Sequence, residues 1–223
     1  KVITPDNIIA NKLTIYTGQE LGMMDYYPMN EGKGTTVTDK AQGATAWING
    51  ATWSTLDGMS LAFDGAKTYA KVNTSSIAID KEMNYSLEFW FKAAANQTNA
   101  AIVSNGSSDV TGIDKVFVGF QNGKLIFSNN GHKETIEGSW MDDAWHHFAI
   151  SVNRNAGNAQ IFIDGALKNY FDANLLGGLA ASYLNLGAIA TTDTANIEKG
   201  SSFFKGQIDE LQLWDMALPS TYI

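Results

Sequence analysis

Residues able to do chemistry are few in this chain and widely spaced. Cleaving a glycosidic bond needs two carboxyl groups, one acting as acid and the other as nucleophile or base. The strand-borne candidates are Glu88, within Ser86-Leu-Glu-Phe-Trp90, and the neighbours Asp209-Glu210, within Ile208-Asp-Glu-Leu211. Glu88 stands alone between Ser86 and Trp90. Successive strand residues point to opposite faces, so Asp209 and Glu210 are expected to part. That spacing argues against retaining or inverting chemistry unless carboxylates meet from different strands. Ile208 and Leu211 break strict alternation, which predicts a local irregularity at Asp209.

The histidines give no better constellation. His146 and His147 are adjacent, so a regular strand sends them to opposite faces and they do not chelate one metal together. One of the two is expected to pack inside with a hydrogen-bond partner. His132 lies apart, in a Gly- and Asn-rich stretch. No Gly-x-Ser-x-Gly elbow, phosphate loop or Gly-x-Gly-x-x-Gly fingerprint occurs. Among the six Trp residues, Trp90, Trp145 and Trp214 sit in strand patterns and Trp53 beside a short one, and all four read as packing residues. Trp47 and Trp140 are flanked by polar or small residues and read as loop positions. Their rings are candidates for stacking on sugar faces, the alternative being that each is pinned on the domain surface.

Strands must position all of these. Tyr85–Phe91 alternates Tyr85, Leu87, Phe89 and Phe91 against Ser86, Glu88 and Trp90, the period of a half-buried strand. Lys115–Phe120 and Lys124–Phe127 flank Gln121-Asn-Gly123, a hairpin loop with Gly where positive φ is needed, and Ala159–Ile163 turns through Asp164-Gly165, a type I′ signal, into Ala166–Lys168. Trp145–Val152, Tyr183–Gly187 and Gly206–Trp214 complete the set. No long helical period separates them, so the fold class is all-β, a two-sheet antiparallel sandwich. The one helical candidate is Thr4–Lys12, with Thr4 as N-cap and Pro5 at the first helical position. Residues 96–114 and 191–202 read as loops.

Composition narrows the partners. The 223 residues include 44% hydrophobic and 17% charged residues, ample for a large core, and all-β sandwiches reach this size as one domain. A net charge of −8, with Arg154 the single arginine, speaks against nucleic acid, which needs a basic face. The absence of Cys excludes disulfides and thiolate metal sites. No apolar run is long enough for a membrane-spanning helix, and no leader sequence is visible. The chain begins at Lys1 without Met and reads as a piece of something longer.

Several strings in order resemble the laminin-G-like, concanavalin-A-like jelly-roll family: Asp25–Gly32, Ser60-Leu-Ala-Phe-Asp-Gly65, Tyr85–Lys92, Trp145-His-His-Phe-Ala149 with Ile161-Phe-Ile-Asp-Gly165, and Gly206–Leu218. They span about residues 22–218. The resemblance implies a jelly-roll domain over 22–223, preceded over 1–21 by a linker or the tail of another domain. Thr17–Tyr27 looks like the opening of a module in a tandem array. The family implies an extracellular or cell-surface setting and a glycan or surface-protein partner. Its habit is recognition or adhesion without catalysis. Relatives with glycosidase or lyase activity, and structural spacer repeats, are the alternatives.

The same resemblance implies a structural Ca²⁺ on hard oxygen ligands. The matching positions are Asp209, Asn30 in the opening strand, and Asp64. The plainer reading is that Asp209 caps a strand irregularity and Asp64 favours a turn with Gly65.

Overall fold

The alternation of Tyr85–Phe91 extends into a nine-residue strand, and among its described residues the computed structural model surrounds it with seventeen more. It describes residues 22–73, 78–105, 115–180, 183–190 and 200–223. The expected link over 1–21, its short helix Thr4–Lys12, and much of the stretches 96–114 and 191–202 lie outside these.

In chain order the strands are β1 (Met23–Tyr27), β2 (Thr36–Thr38), β3 (Thr45–Asn49), β4 (Thr52–Ser54), β5 (Ser60–Asp64) and β6 (Tyr69–Asn73). Next come β7 (Ala78–Ile79), β8 (Tyr85–Ala93), β9 (Ala100–Ser104), β10 (Val116–Gln121), β11 (Lys124–Asn129) and β12 (His132–Ile136). The last six are β13 (Trp145–Asn153), β14 (Asn158–Ile163), β15 (Ala166–Asp172), β16 (Leu179–Ala180), β17 (Tyr183–Leu186) and β18 (Lys205–Trp214).

Two eight-stranded antiparallel sheets form the sandwich. Sheet I runs β15-β14-β13-β8-β18-β5-β4, with β1 pairing the C-terminal half of β18; sheet II runs β12-β11-β10-β9-β17-β6-β3-β2. Tyr85, Leu87, Phe89 and Phe91 of sheet I face Ala70, Val72, Val118 and Phe127 of sheet II across one core. Phe89 stacks on Phe148 within it, ring centroids 5.1 Å apart. The hairpins expected at Gln121–Gly123 and Asp164-Gly165 are present, the first with a two-residue turn at Asn122-Gly123 because Gln121 pairs with Lys124. Both residues of each turn take positive φ, matching the strand twist that two-residue turns need.

Several short strands were not legible as such, β3, β9 and β12 among them. β9, inside the stretch read as loop, is a short buried apolar run held between β10 and β17, and β3 and β12 are five-residue strands bounded by Gly and Asn. Such runs are too short for period to declare them. At the outer edge of sheet I, β15 carries a bulge between its pairings to Ile161 and Phe162, which sets Lys168 out of register.

Candidate functional site

Three regions gather functional side chains. The first is the outer face of sheet I. Trp90, Asp209 and His147 line up across β18, β8 and β13, with Glu88 and Gln212 forming the next rank. The expected irregularity near Asp209 is a bulge: β18 shifts register against β8 between Asp209 and Gln212, and Glu210 takes φ 54. The twist overturns the expectation that Asp209 and Glu210 part. Asp209 lies opposite Trp90, and Glu210 reaches the outward-facing Tyr26, whose hydroxyl donates to its Oε2 at 2.8 Å. Three carboxylates therefore share one face.

They are not open to a substrate. Glu88, Asp209 and Glu210 are all buried. The Trp214 indole N–H donates to Glu88 Oε1 at 3.3 Å, while His147 Nε2 lies 3.3 Å from Oε2 and its ring rests against Trp90. The Glu210 amide donates to Asp209 Oδ1 at 3.0 Å. Trp90, Trp145 and Trp214 thus pack on this outer layer rather than in the inter-sheet core. The C-terminal segment 215–223 crosses part of the same face. The Ser86 hydroxyl donates to the Met216 carbonyl, and Ser151 Oγ donates to the Leu218 carbonyl.

His146 faces the other way, as expected of its neighbour's partner. Nδ1 lies 2.8 Å from Asp164 and Nε2 3.1 Å from Asp142. The Asp164 hydrogen bond and the Asp142 contact outweigh burial and raise its pKa above the ordinary histidine value. At the opening strand, Asp25 is buried with neither oxygen hydrogen-bonded among the described residues. Burial, then the nearby Asp39 carboxylate, pushes its pKa up to about 7.

Of the implied calcium ligands, Asp64 and Asp209 stand apart along β18. Asn30 is exposed past β1, and Asp209 is buried in mid-strand. Asp64 pairs with Lys205, so Asp209 lies four residues along β18, roughly 13 Å away by strand rise. Asp64 Oδ1 already accepts from the amides of Ala66, Lys67 and Thr68 and from the Thr68 hydroxyl. Exposure leaves little burial penalty, and these bonds outweigh it to hold the carboxyl at about 2. Among the described residues no group of three or more His, Asp or Glu is placed to hold a metal.

The two candidate Trp residues part company. Trp140 is half-buried and pinned: its indole N–H donates to the Ile136 carbonyl at 3.1 Å, its edge meets His146, and Lys168 lies 5.2 Å from the ring. Trp47 is not in a loop. It projects from β3 on the outer face of sheet II, 51% exposed, between Thr36 of β2 and Lys71 of β6. The Lys71 ammonium sits 4.2 Å over the Tyr183 ring, and Asn49 donates to the Tyr69 hydroxyl at 2.6 Å on the same face. This second region joins an open aromatic plate to a positioned cation and amide. Arg154 adds nothing to any such face, because its guanidinium donates to the carbonyls of Ala173, Leu176 and Gly177.

The third region is a shallow cleft of about 510 Å³ at one end of the sandwich, lined by Asn96, Gln97, Thr98, Asn122, Gly123 and Met141. Nothing in the strand pattern announced it, since its walls come from three separate loops.

Comparison with known proteins bears on the fold. A family described as the concanavalin A-like lectin/glucanases superfamily matches residues 64–223. No curated protein matches the chain. Among solved structures, the binding domain of Paraclostridial Mosquitocidal Protein 1 is similar over 90% of this chain and 50% of its own, with TM-score 0.67 and 13% identity. The binding domain of botulinum neurotoxin serotype G gives TM-score 0.65 and 17% identity, covering 89% and 49%. The serotype D ligand binding domain, solved in complex with N-acetylneuraminic acid, gives 0.66 and 13%, covering 90% and 49%. The chain spans about half the length of these structures, and at such identities the shared property is the fold. Among the described residues no helix is long and apolar enough to cross a membrane.

Proposed function

This chain belongs to the concanavalin A-like lectin/glucanase superfamily, and from that membership we propose that it is a non-catalytic extracellular recognition module that binds carbohydrate. The observation that carries this reading is Trp47. A half-exposed indole on a strand costs solvation without packing gain, and single exposed Trp side chains flanked by hydrogen-bonding groups suit the apolar face of a sugar ring. Lys71, held over Tyr183, and Thr36 supply polar contacts on either side. Sheet II holds the plate rigid, which limits the entropy lost on binding. The toxin binding domains of the same fold, one of them holding N-acetylneuraminic acid, support a recognition role outside the cell. The test is a glycan array followed by calorimetry on the hits. Binding weakened at least tenfold by Trp47→Ala is the expected result; an array on which the chain captures nothing removes the carbohydrate reading and leaves a protein partner or a spacer.

A glycosidase of the same fold is the second reading, favoured by Glu88, Asp209 and Glu210 sharing one face. Their burial and protein partners weigh against it. Release of reducing sugar from polysaccharides, abolished by Glu88→Gln, would reinstate it.

A further inference from the structure

We propose that the end cleft lined by Asn96, Gln97, Thr98, Asn122, Gly123 and Met141 is a second saccharide site, separate from Trp47 and selective for uncharged sugars. It rests on the carbohydrate-recognition reading above and adds to it a place and a ligand class. The volume, about 510 Å³, falls within the range of small-molecule sites. None of the six lining side chains is ionisable. They offer amides, a hydroxyl and a thioether, which match the mixed donor, acceptor and C–H surface of a neutral hexose. None of these six side chains supplies a counter-charge to a carboxylated or phosphorylated sugar, in a protein of net charge −8.

The walls are held before any ligand arrives. Gln97 spends its side chain on scaffolding: it donates to the carbonyls of Ala94 and Lys205 and accepts from the Lys205 amide at 2.7 Å. The Gly123 amide donates to the Thr98 carbonyl, and the Asn122 amide to Asn99 Oδ1, so the two loops are tied together. The Gln97 amide donates to Met141 Sδ at 3.3 Å, fixing the floor. Asn96, Thr98 and Asn122 remain exposed at the rim. Positioned amides over a polarizable floor bind with little ordering cost.

The experiment is an NMR titration of the whole chain with neutral cello-, manno-, xylo- and maltotetraose, and with anionic sialyllactose. The side-chain amides of Asn96 and Asn122 and the Met141 methyl report the cleft. Shifts there with at least one neutral sugar, persisting in Trp47→Ala, are expected. Thr98→Val and Asn122→Asp should each weaken that response about tenfold, the loss of one hydrogen-bonding group. Asp tolerates the left-handed turn, so the second variant keeps the hairpin, and dispersed spectra verify folding. Shifts confined to Trp47 and its neighbours overturn the second site while leaving carbohydrate recognition standing. Equal response to sialyllactose overturns the ligand class. Silence at both regions takes down both readings.

Discussion

Ser86 grips Leu218 across the outer face of sheet I: its hydroxyl accepts from the Leu218 amide at 2.8 Å while donating to the Met216 carbonyl at 2.8 Å. Removing the hydroxyl strands a buried amide, which costs about 1–3 kcal/mol. Ser86→Ala is expected to lower the unfolding free energy by that amount, read as a lower urea midpoint, and to speed protease cleavage within 215–223. An unchanged midpoint would mean the segment is held by its apolar contacts alone.

Asp25 predicts an inverted pH response. Its folded pKa, about 7, stands above the ordinary value of 3.8. Between those values the folded protein binds more protons than the unfolded chain, so the group's stabilising contribution is complete below about pH 4 and lost as pH rises to about 7. At about 1.4 kcal/mol per unit the loss is bounded at about 4 kcal/mol. Asp25→Asn should therefore raise stability at pH 8 and leave it unchanged near pH 3.5. Chemical denaturation at the two pH values measures the difference.

His146 shifts stability in the same direction with pH, but over a higher range. Its pKa is raised above 6.5, first by Asp164, so its stabilising contribution is complete below pH 6.5 and fades as pH climbs through the folded value. His146→Gln is expected to cost more stability at pH 5.5 than at pH 9. A cost independent of pH would assign the residue to packing against Phe91 and Trp140 alone.

Gly206 reports how closely β18 approaches β8. A Cβ there would lie 2.1 Å from the Lys92 carbonyl oxygen and 2.6 Å from the Phe204 ring. Backbone on one side and a buried ring on the other leave no room to give. Gly206→Ala should destabilise by about 1–3 kcal/mol, as overpacking does, and calorimetric melting checks it.

Calcium should leave the fold untouched. Asp64 Oδ1 is already saturated by its own turn, and Asp209 lies four residues further along β18. Adding Ca²⁺ or a chelator is expected to produce no change in Tm; a rise with Ca²⁺ would locate donors elsewhere.

Much of the sandwich was legible because Tyr85–Phe91 alternates cleanly and because Asn122-Gly123 and Asp164-Gly165 carry their turn geometry in their side chains. The candidate sites were less so. Alternation tells that Glu88 and Trp90 oppose Leu87 and Phe89, but not that residues 215–223 cover part of their face. The spacing of Ile208 and Leu211 did signal the bulge. What it could not convey was the positive φ of Glu210, which turns two neighbouring carboxylates to the same side. Trp47 hid in a strand of five residues, too brief for periodicity to register.

The bulge that sets Lys168 out of register on β15 has a bearing on the molecule in concentrated solution. A straight outer strand offers a row of unpaired amides and carbonyls on which another chain can add. Here the longest outer strand of sheet I is kinked at a lysine, and the opposite side ends in β4, three residues long, and β1, five residues long and followed by Pro28. In sheet II the outer strands are β2, three residues long, and β12, which carries Lys133 and Glu134. The β15, β4, β2 and β12 borders are thus poor templates for fibrous assembly, which leaves the wide outer faces of the sheets as the surface for a ligand.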